Sequence, residues 1–159
     1  MILYETGLSS PVGDLTLIAS VGALVALLWP DDDPVRVRLP PRQDGRGHPI
    51  LTAAARQLGE YFSGARRSFD LPLDPQGTPF QQQVWTALAA IPFGETRSYS
   101  EIAAQVGRPS ASRAVGAANG RNPLSIVLPC HRVIGKAGGL TGFAGGMETK
   151  AWLLSFESR

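Results

Sequence analysis

The chain holds one cysteine, Cys130, and it stands beside His131 in the stretch LPCHRVIG, residues 128–135. A thiol attacks as its thiolate. An imidazole within reach, directly or through one water, takes the proton and holds the charge pair that results. A third polar group, commonly an acid, then orients the imidazole. Pro129 restricts the backbone just before the thiol and presents it in a fixed direction. The run NPLSIVL ahead of it reads as a buried strand. In a regular strand Cys130 and His131 would point to opposite faces, so they cooperate only if the chain turns there. The competing reading is an inert buried thiol that happens to precede a histidine, and on residue type alone it is the commoner outcome.

A second clue lies upstream. RAVGAANGRN is a helix of small residues with little to push outward except Arg113, Asn119, Arg121 and Asn122. A low-profile helix suits close approach to a nucleic-acid groove, and it equally suits tight packing in a core. Arg113 could pair with a phosphate or enter a base stack; as a plain surface charge it would do neither.

These groups need elements to hold them. ILYETG and DLTLIASV read as strands joined by a turn at SSPVGD, and GALVALLW as a third. Residues 31–49, rich in Pro, Asp, Gly and Arg, read as a loop. ILTAAARQLGEYFSG carries Ile50, Leu51, Ala54, Leu58, Tyr61 and Phe62 at helical spacing and stops at Gly64. Prolines at 72, 75 and 79 place a domain boundary near residue 76. The next helix opens with Thr78 as N-cap and Pro79 at its first position, with Phe80, Val84, Leu88 and Ile91 on one face. Ser98 and Glu101 form a capping box for another helix, ended by Gly107 and Pro109. With SASRAVGAANG it suggests a helix-turn-helix. GKAGGLTGFAGG is a glycine-rich loop, and METKAWLLSFE closes the chain with Trp152, Leu153 and Phe156 turned inward. The expected fold class is α+β. A small domain over 1–76, of antiparallel strands plus a helix, precedes a mostly helical domain over 77–159.

Composition bounds the rest. At 159 residues, 43% hydrophobic and 18% charged, the chain has an ordinary globular composition. One cysteine excludes an internal disulfide and a cysteine-rich zinc site, and an unpaired thiol fits a reducing compartment. The N-terminal residues lack a basic region followed by a long apolar one, so no signal peptide is expected. LIASVGALVALLWP is too short to span a bilayer. The expected location is cytoplasmic, with no membrane partner. Residues 1–74 hold seven Arg against nine acidic residues, and residues 75–159 hold eight basic against four. The positive charge therefore gathers in the half that holds the thiol, which is compatible with a nucleic-acid partner.

At this point a family resemblance enters. FQQQVWTALAAIPFGETRSYSEIAAQVGRP, RAVGAANGRNP, LPCHRVIG and LTGFAGGMETKAWLL, in this order and spacing, resemble the O6-alkylguanine-DNA alkyltransferases across essentially all of residues 77–157. The first domain resembles that family more loosely. The resemblance implies direct-reversal repair: irreversible, single-turnover transfer of the alkyl group from O6-alkylguanine, and from O4-alkylthymine, in double-stranded DNA to Cys130. It implies no cofactor, no metal, a winged helix-turn-helix, and a monomer able to bind cooperatively along DNA.

Residue by residue, the resemblance gives His131 the thiol proton through a water and makes Glu157 its orienting acid. Asn122 becomes the hinge between recognition helix and active-site turn. Tyr99 rotates the nucleotide and donates to its base. Arg113 fills the gap in the stack. Ala114, Gly116, Ala117, Asn119, Gly120 and Arg121 lie along the minor groove. Val133, Phe143, Ala144 and Ser125 shape the base pocket, and the carbonyls of Cys130 and Val133 accept from the guanine amine. Phe143 stands where many members have tyrosine, Ala144 where some have serine, and Ser125 where relatives that take bulky lesions have proline. A hydrolase built on Cys130, His131 and Glu157 would also need an oxyanion loop, and none is evident. A protein that only recognises the lesion would not need Cys130.

Overall fold

The computed structural model describes residues 1–136, 138–139 and 142–159; positions 137, 140 and 141 of the glycine-rich loop lie outside the described residues. The chain forms two compact units, Met1–Gln76 and Gly77–Arg159.

The first unit is a four-stranded sheet with one helix. Strands β1 (Leu3–Ser10), β2 (Gly13–Ala19) and β3 (Leu24–Leu28) run antiparallel in sequence order. Leu3, Ile18, Val25 and Ala26 form a buried cluster, the apolar faces that the alternation promised. The loop expected over 31–49 contains one further strand, β4 (Arg42–Asp44), which pairs parallel with β1 at the other edge of the sheet. It was illegible because it carries no apolar residue; main-chain pairing holds it. Helix α1 (Pro49–Phe62) starts at His48, whose Nδ1 accepts from the Ile50 amide at 3.1 Å. It buries Leu51, Ala54, Leu58 and Tyr61, and Gly64 follows at φ +84, a backbone shape that glycine adopts without cost.

The second unit positions the thiol. Helix α2 (Pro79–Ala89) opens with a reciprocal capping box between Thr78 and Gln81. Strand β5 (Arg97–Ser98) leads into α3 (Tyr99–Gln105), whose capping box joins Ser98 and Glu101. The Gly107 turn, at φ +78, sends the chain into α4 (Ser112–Gly120). Trp85 Nε1 donates to the Ala118 carbonyl at 2.9 Å and ties α2 to α4. Strand β6 (Val133–Ile134) pairs parallel with β5. Helix α5 (Met147–Glu157) ends the unit.

Two expectations need correction here. Residues 122–128 are buried but form turns rather than a strand. Asn122 Oδ1 accepts from the Leu124 amide, the Leu128 amide reaches back to the Leu124 carbonyl at 2.8 Å, and Ile126 takes φ +73, a costly conformation for a β-branched residue. An apolar run shows burial, not strand geometry. On α5 the buried residues are Lys150, Leu153 and Glu157, not Trp152 and Phe156. Those two rings are half-buried and stack on each other, centroids 5.1 Å apart and 8° from parallel. The charged pair takes the inner face because buried partners await it.

Candidate active site

The turn that the Cys130–His131 pair requires is present. Cys130–Arg132 form one turn of 3-10 helix, so the two side chains escape strand alternation. The Cys130 amide donates to the Leu128 carbonyl at 2.7 Å, and the Arg132 amide to that of Pro129 at 3.0 Å. The thiol is 3% exposed, with Sγ 3.9 Å from the hydroxyl of the buried Ser125.

A chain of polar contacts starts at the imidazole. His131 is completely buried, and its Nε2 lies 2.8 Å from Glu157 Oε2. Its Nδ1 has no hydrogen-bond partner among the described residues. Burial holds the ring below its ordinary pKa; Glu157 pulls the other way, and the charges of Arg132 and Lys150 add to the depression. The imidazole is therefore neutral at rest and able to accept a proton.

Glu157 is in turn held by Arg132, which the sequence reading passed over. Arg132 Nε donates to Oε1 at 2.8 Å and Nη2 to Oε2 at 2.9 Å, while Nη1 donates to the Ile91 carbonyl at 2.6 Å. Lys150 was also missed. Its fully buried ammonium donates to the Val133 carbonyl at 2.7 Å. Burial lowers its pKa, and the charge of Cys130 works against that shift; by the same attraction Lys150 favours a thiolate at Cys130. One signal was available: Lys150 and Glu157 are seven residues apart, one face of a helix.

Asn122 is fully buried, with Nδ2 donating to the Leu128 carbonyl at 2.7 Å and Oδ1 accepting from the Leu124 amide at 3.0 Å. It joins the end of α4 to the thiol turn. Asn119 and Asn122 are not outward residues, as the sequence suggested. Asn119 is 5% exposed, and its Nδ2 lies 3.4 Å from the Cys130 carbonyl. Both carbonyls assigned to the base amine thus accept bonds within the chain, Cys130 from Asn119 and Val133 from Lys150.

Helix α4 serves both readings of its small residues. Val115 and Ala118 are buried, while Arg113, Ala114, Ala117 and Gly120 are exposed, followed by the exposed Arg121. Gly116 lies beneath Tyr99, where an added Cβ would sit 3.8 Å from the ring. Phe143 is half-buried and Ala144 exposed.

Comparison with known proteins follows the two units. Residues 3–75 match the ribonuclease-like domain of 6-O-methylguanine DNA methyltransferase, and residues 79–159 match its DNA-binding domain. The methylated-DNA–protein-cysteine methyltransferase of Mycolicibacterium paratuberculosis is 49% identical over 160 residues, covering 100% of this chain and 94% of that protein. The constitutive one of Bacillus subtilis is 48% identical, covering 97% and 94%. The crystal structure of Mycobacterium tuberculosis OGT in complex with DNA superposes with a TM-score of 0.86 at 45% identity, covering 99% of this chain and 93% of that one.

Proposed function

This chain belongs to the 6-O-methylguanine DNA methyltransferase family and is a single-turnover cysteine methyltransferase of direct-reversal DNA repair; we propose that Cys130 is its alkyl acceptor and that His131, Glu157, Arg132 and Lys150 prepare the thiol. The observation that carries this reading is the continuous buried contact from Arg132 through Glu157 to His131, the residue next to Cys130 in the chain, whose Nδ1 has no hydrogen-bond partner among the described residues.

The exposed small-residue face of α4 meets the minor groove of double-stranded DNA, where low side chains admit close approach. The lesion leaves the stack, as any base must whose reacting atom lies inside the duplex, and Arg113 fills the gap. The thiol proton passes through a water to His131 Nδ1. The thiolate attacks the alkyl carbon in line; the carbon–sulfur bond forms as the carbon–oxygen bond to O6 breaks. The electron pair goes to the base, and a proton donated by Tyr99 eases its departure. The product is a thioether, which water does not readily cleave, so each molecule acts once. Phe143, Ala144 and Ser125 wall the pocket. The protein works as a cytoplasmic monomer on this reading.

A duplex carrying O6-methylguanine, supplied in excess, tests it. Repaired lesions should plateau at one per protein molecule. Steady turnover beyond that ratio would overturn the single-use mechanism.

A further inference from the structure

The buried polar cluster behind the thiol holds one group whose contribution goes beyond filling space. A carboxylate beside an imidazole leaves two proton arrangements open. Glu157 can be an anion that accepts from Nε2–H, or a neutral acid that donates to a bare Nε2. The second would put the resting proton of His131 on Nδ1, the nitrogen that faces no partner among the described residues, and the ring would have no lone pair left for the thiol.

Arg132 bears on that choice. Its fork meets both oxygens of Glu157, at 2.8 and 2.9 Å, and its third donor is anchored on the Ile91 carbonyl. Arg132 is 6% exposed and the Glu157 side chain 1%. A guanidinium has donors only, and it stays charged in proteins. Both Glu157 oxygens therefore face a permanent positive charge at hydrogen-bond distance, which favours the anion over the neutral acid. The other groups around His131 are Lys150, from α5, whose charge also acts on the ring, and Cys130, in the same turn.

The geometry points to Arg132 as a positioning residue: its fork on Glu157 fixes the resting His131 with the proton on Nε2 and keeps Nδ1 bare for the proton of Cys130. When the thiol ionises, its proton goes from Sγ through a water to Nδ1. The imidazolium then lies between thiolate and carboxylate, and Glu157 remains unprotonated throughout. Arg132 touches neither base nor alkyl group; it acts through two other side chains. The inference rests on the transfer chemistry proposed above.

The test separates the two. The chain has only two histidines, so ¹⁵N imidazole spectra of the free protein show two rings, and His48→Gln assigns the remaining one to His131. The wild type should show a protonated Nε2 and a bare Nδ1. Arg132→Met should populate the other tautomer and slow single-turnover transfer by about tenfold or more, by analogy with the loss that follows when a metal-bound histidine loses its outer partner. Its affinity for undamaged DNA should match the wild type. Arg132→Lys, which keeps the charge but not the fork, should recover part of the rate. A wild-type His131 protonated on Nδ1 overturns the inference even if no Arg132 variant folds. So does a folded Arg132→Met with the wild-type tautomer and rate. A wild type that transfers no alkyl group would instead remove the functional reading, with the tautomer still measured.

Discussion

The ammonium of Lys150 lies 2.7 Å from the carbonyl of Val133, on a side chain with no solvent exposure, and its charge is felt at Cys130. A buried cation beside a thiol favours the thiolate, because little water screens the attraction. Lys150→Met, which keeps the volume and removes the charge, should slow alkyl transfer at neutral pH by at least about tenfold. The deficit should narrow as the pH rises and hydroxide takes over removal of the proton. Quenched-flow transfer rates across pH check this. A deficit constant with pH would mean that Lys150 only packs.

Asn122 should matter first for stability. Its amide satisfies two backbone groups that have no access to water, the Leu128 carbonyl and the Leu124 amide. Leaving each unsatisfied costs about 1–3 kcal/mol. Asn122→Ala should therefore lower the unfolding free energy by about 2–4 kcal/mol in urea titrations. A loss below about 1 kcal/mol would mean that the turn reorganises around the gap.

Acid should destabilise the fold through His131. Burial holds the folded pKa of the ring below its ordinary 6.5, whereas the unfolded chain titrates near that value. Below about pH 6.5 the unfolded state binds a proton that the folded state does not. The contribution is fully present above that pH and is lost as pH falls below it, at up to about 1.4 kcal/mol per pH unit. Urea midpoints of the wild type should fall between about pH 7 and pH 5.5, and His131→Gln should flatten that slope. Equal slopes in the two proteins would place the acid sensitivity elsewhere.

The outer face of α4 gives a prediction about DNA. Ala117 is exposed beside the exposed Arg113 and Ala114. Ala117→Glu adds bulk and a negative charge where a phosphate backbone would approach. Duplex affinity should fall by about tenfold or more at moderate salt, with unfolding midpoint and circular dichroism unchanged. Unaltered affinity would take this face out of the DNA interface.

Much of this architecture was legible because it follows from local rules. The two capping boxes, at Thr78 and Ser98, and the glycine stop at Gly64 lie where those residue types place them. Cys130 and His131 could cooperate only if the chain turned between them, and it does turn there. What stayed hidden depends on tertiary partners. Arg132 and Lys150 went unassigned, since nothing local says that a buried carboxylate 25 residues away awaits one and a backbone carbonyl the other. Asn119 read as outward for the same reason. The strand β4 has no side-chain pattern, and the run before the thiol is apolar because it is buried within turns.

The central claim is that Cys130 itself receives the alkyl group. Intact-protein mass after reaction with a duplex carrying O6-methylguanine, followed by peptide mapping, reads this directly. The wild type should gain a single methyl in place of the thiol hydrogen, on the peptide containing Cys130, and Cys130→Ala should bind the same duplex and gain nothing. A methyl on any other residue, or an unmodified protein beside repaired DNA, would contradict the account.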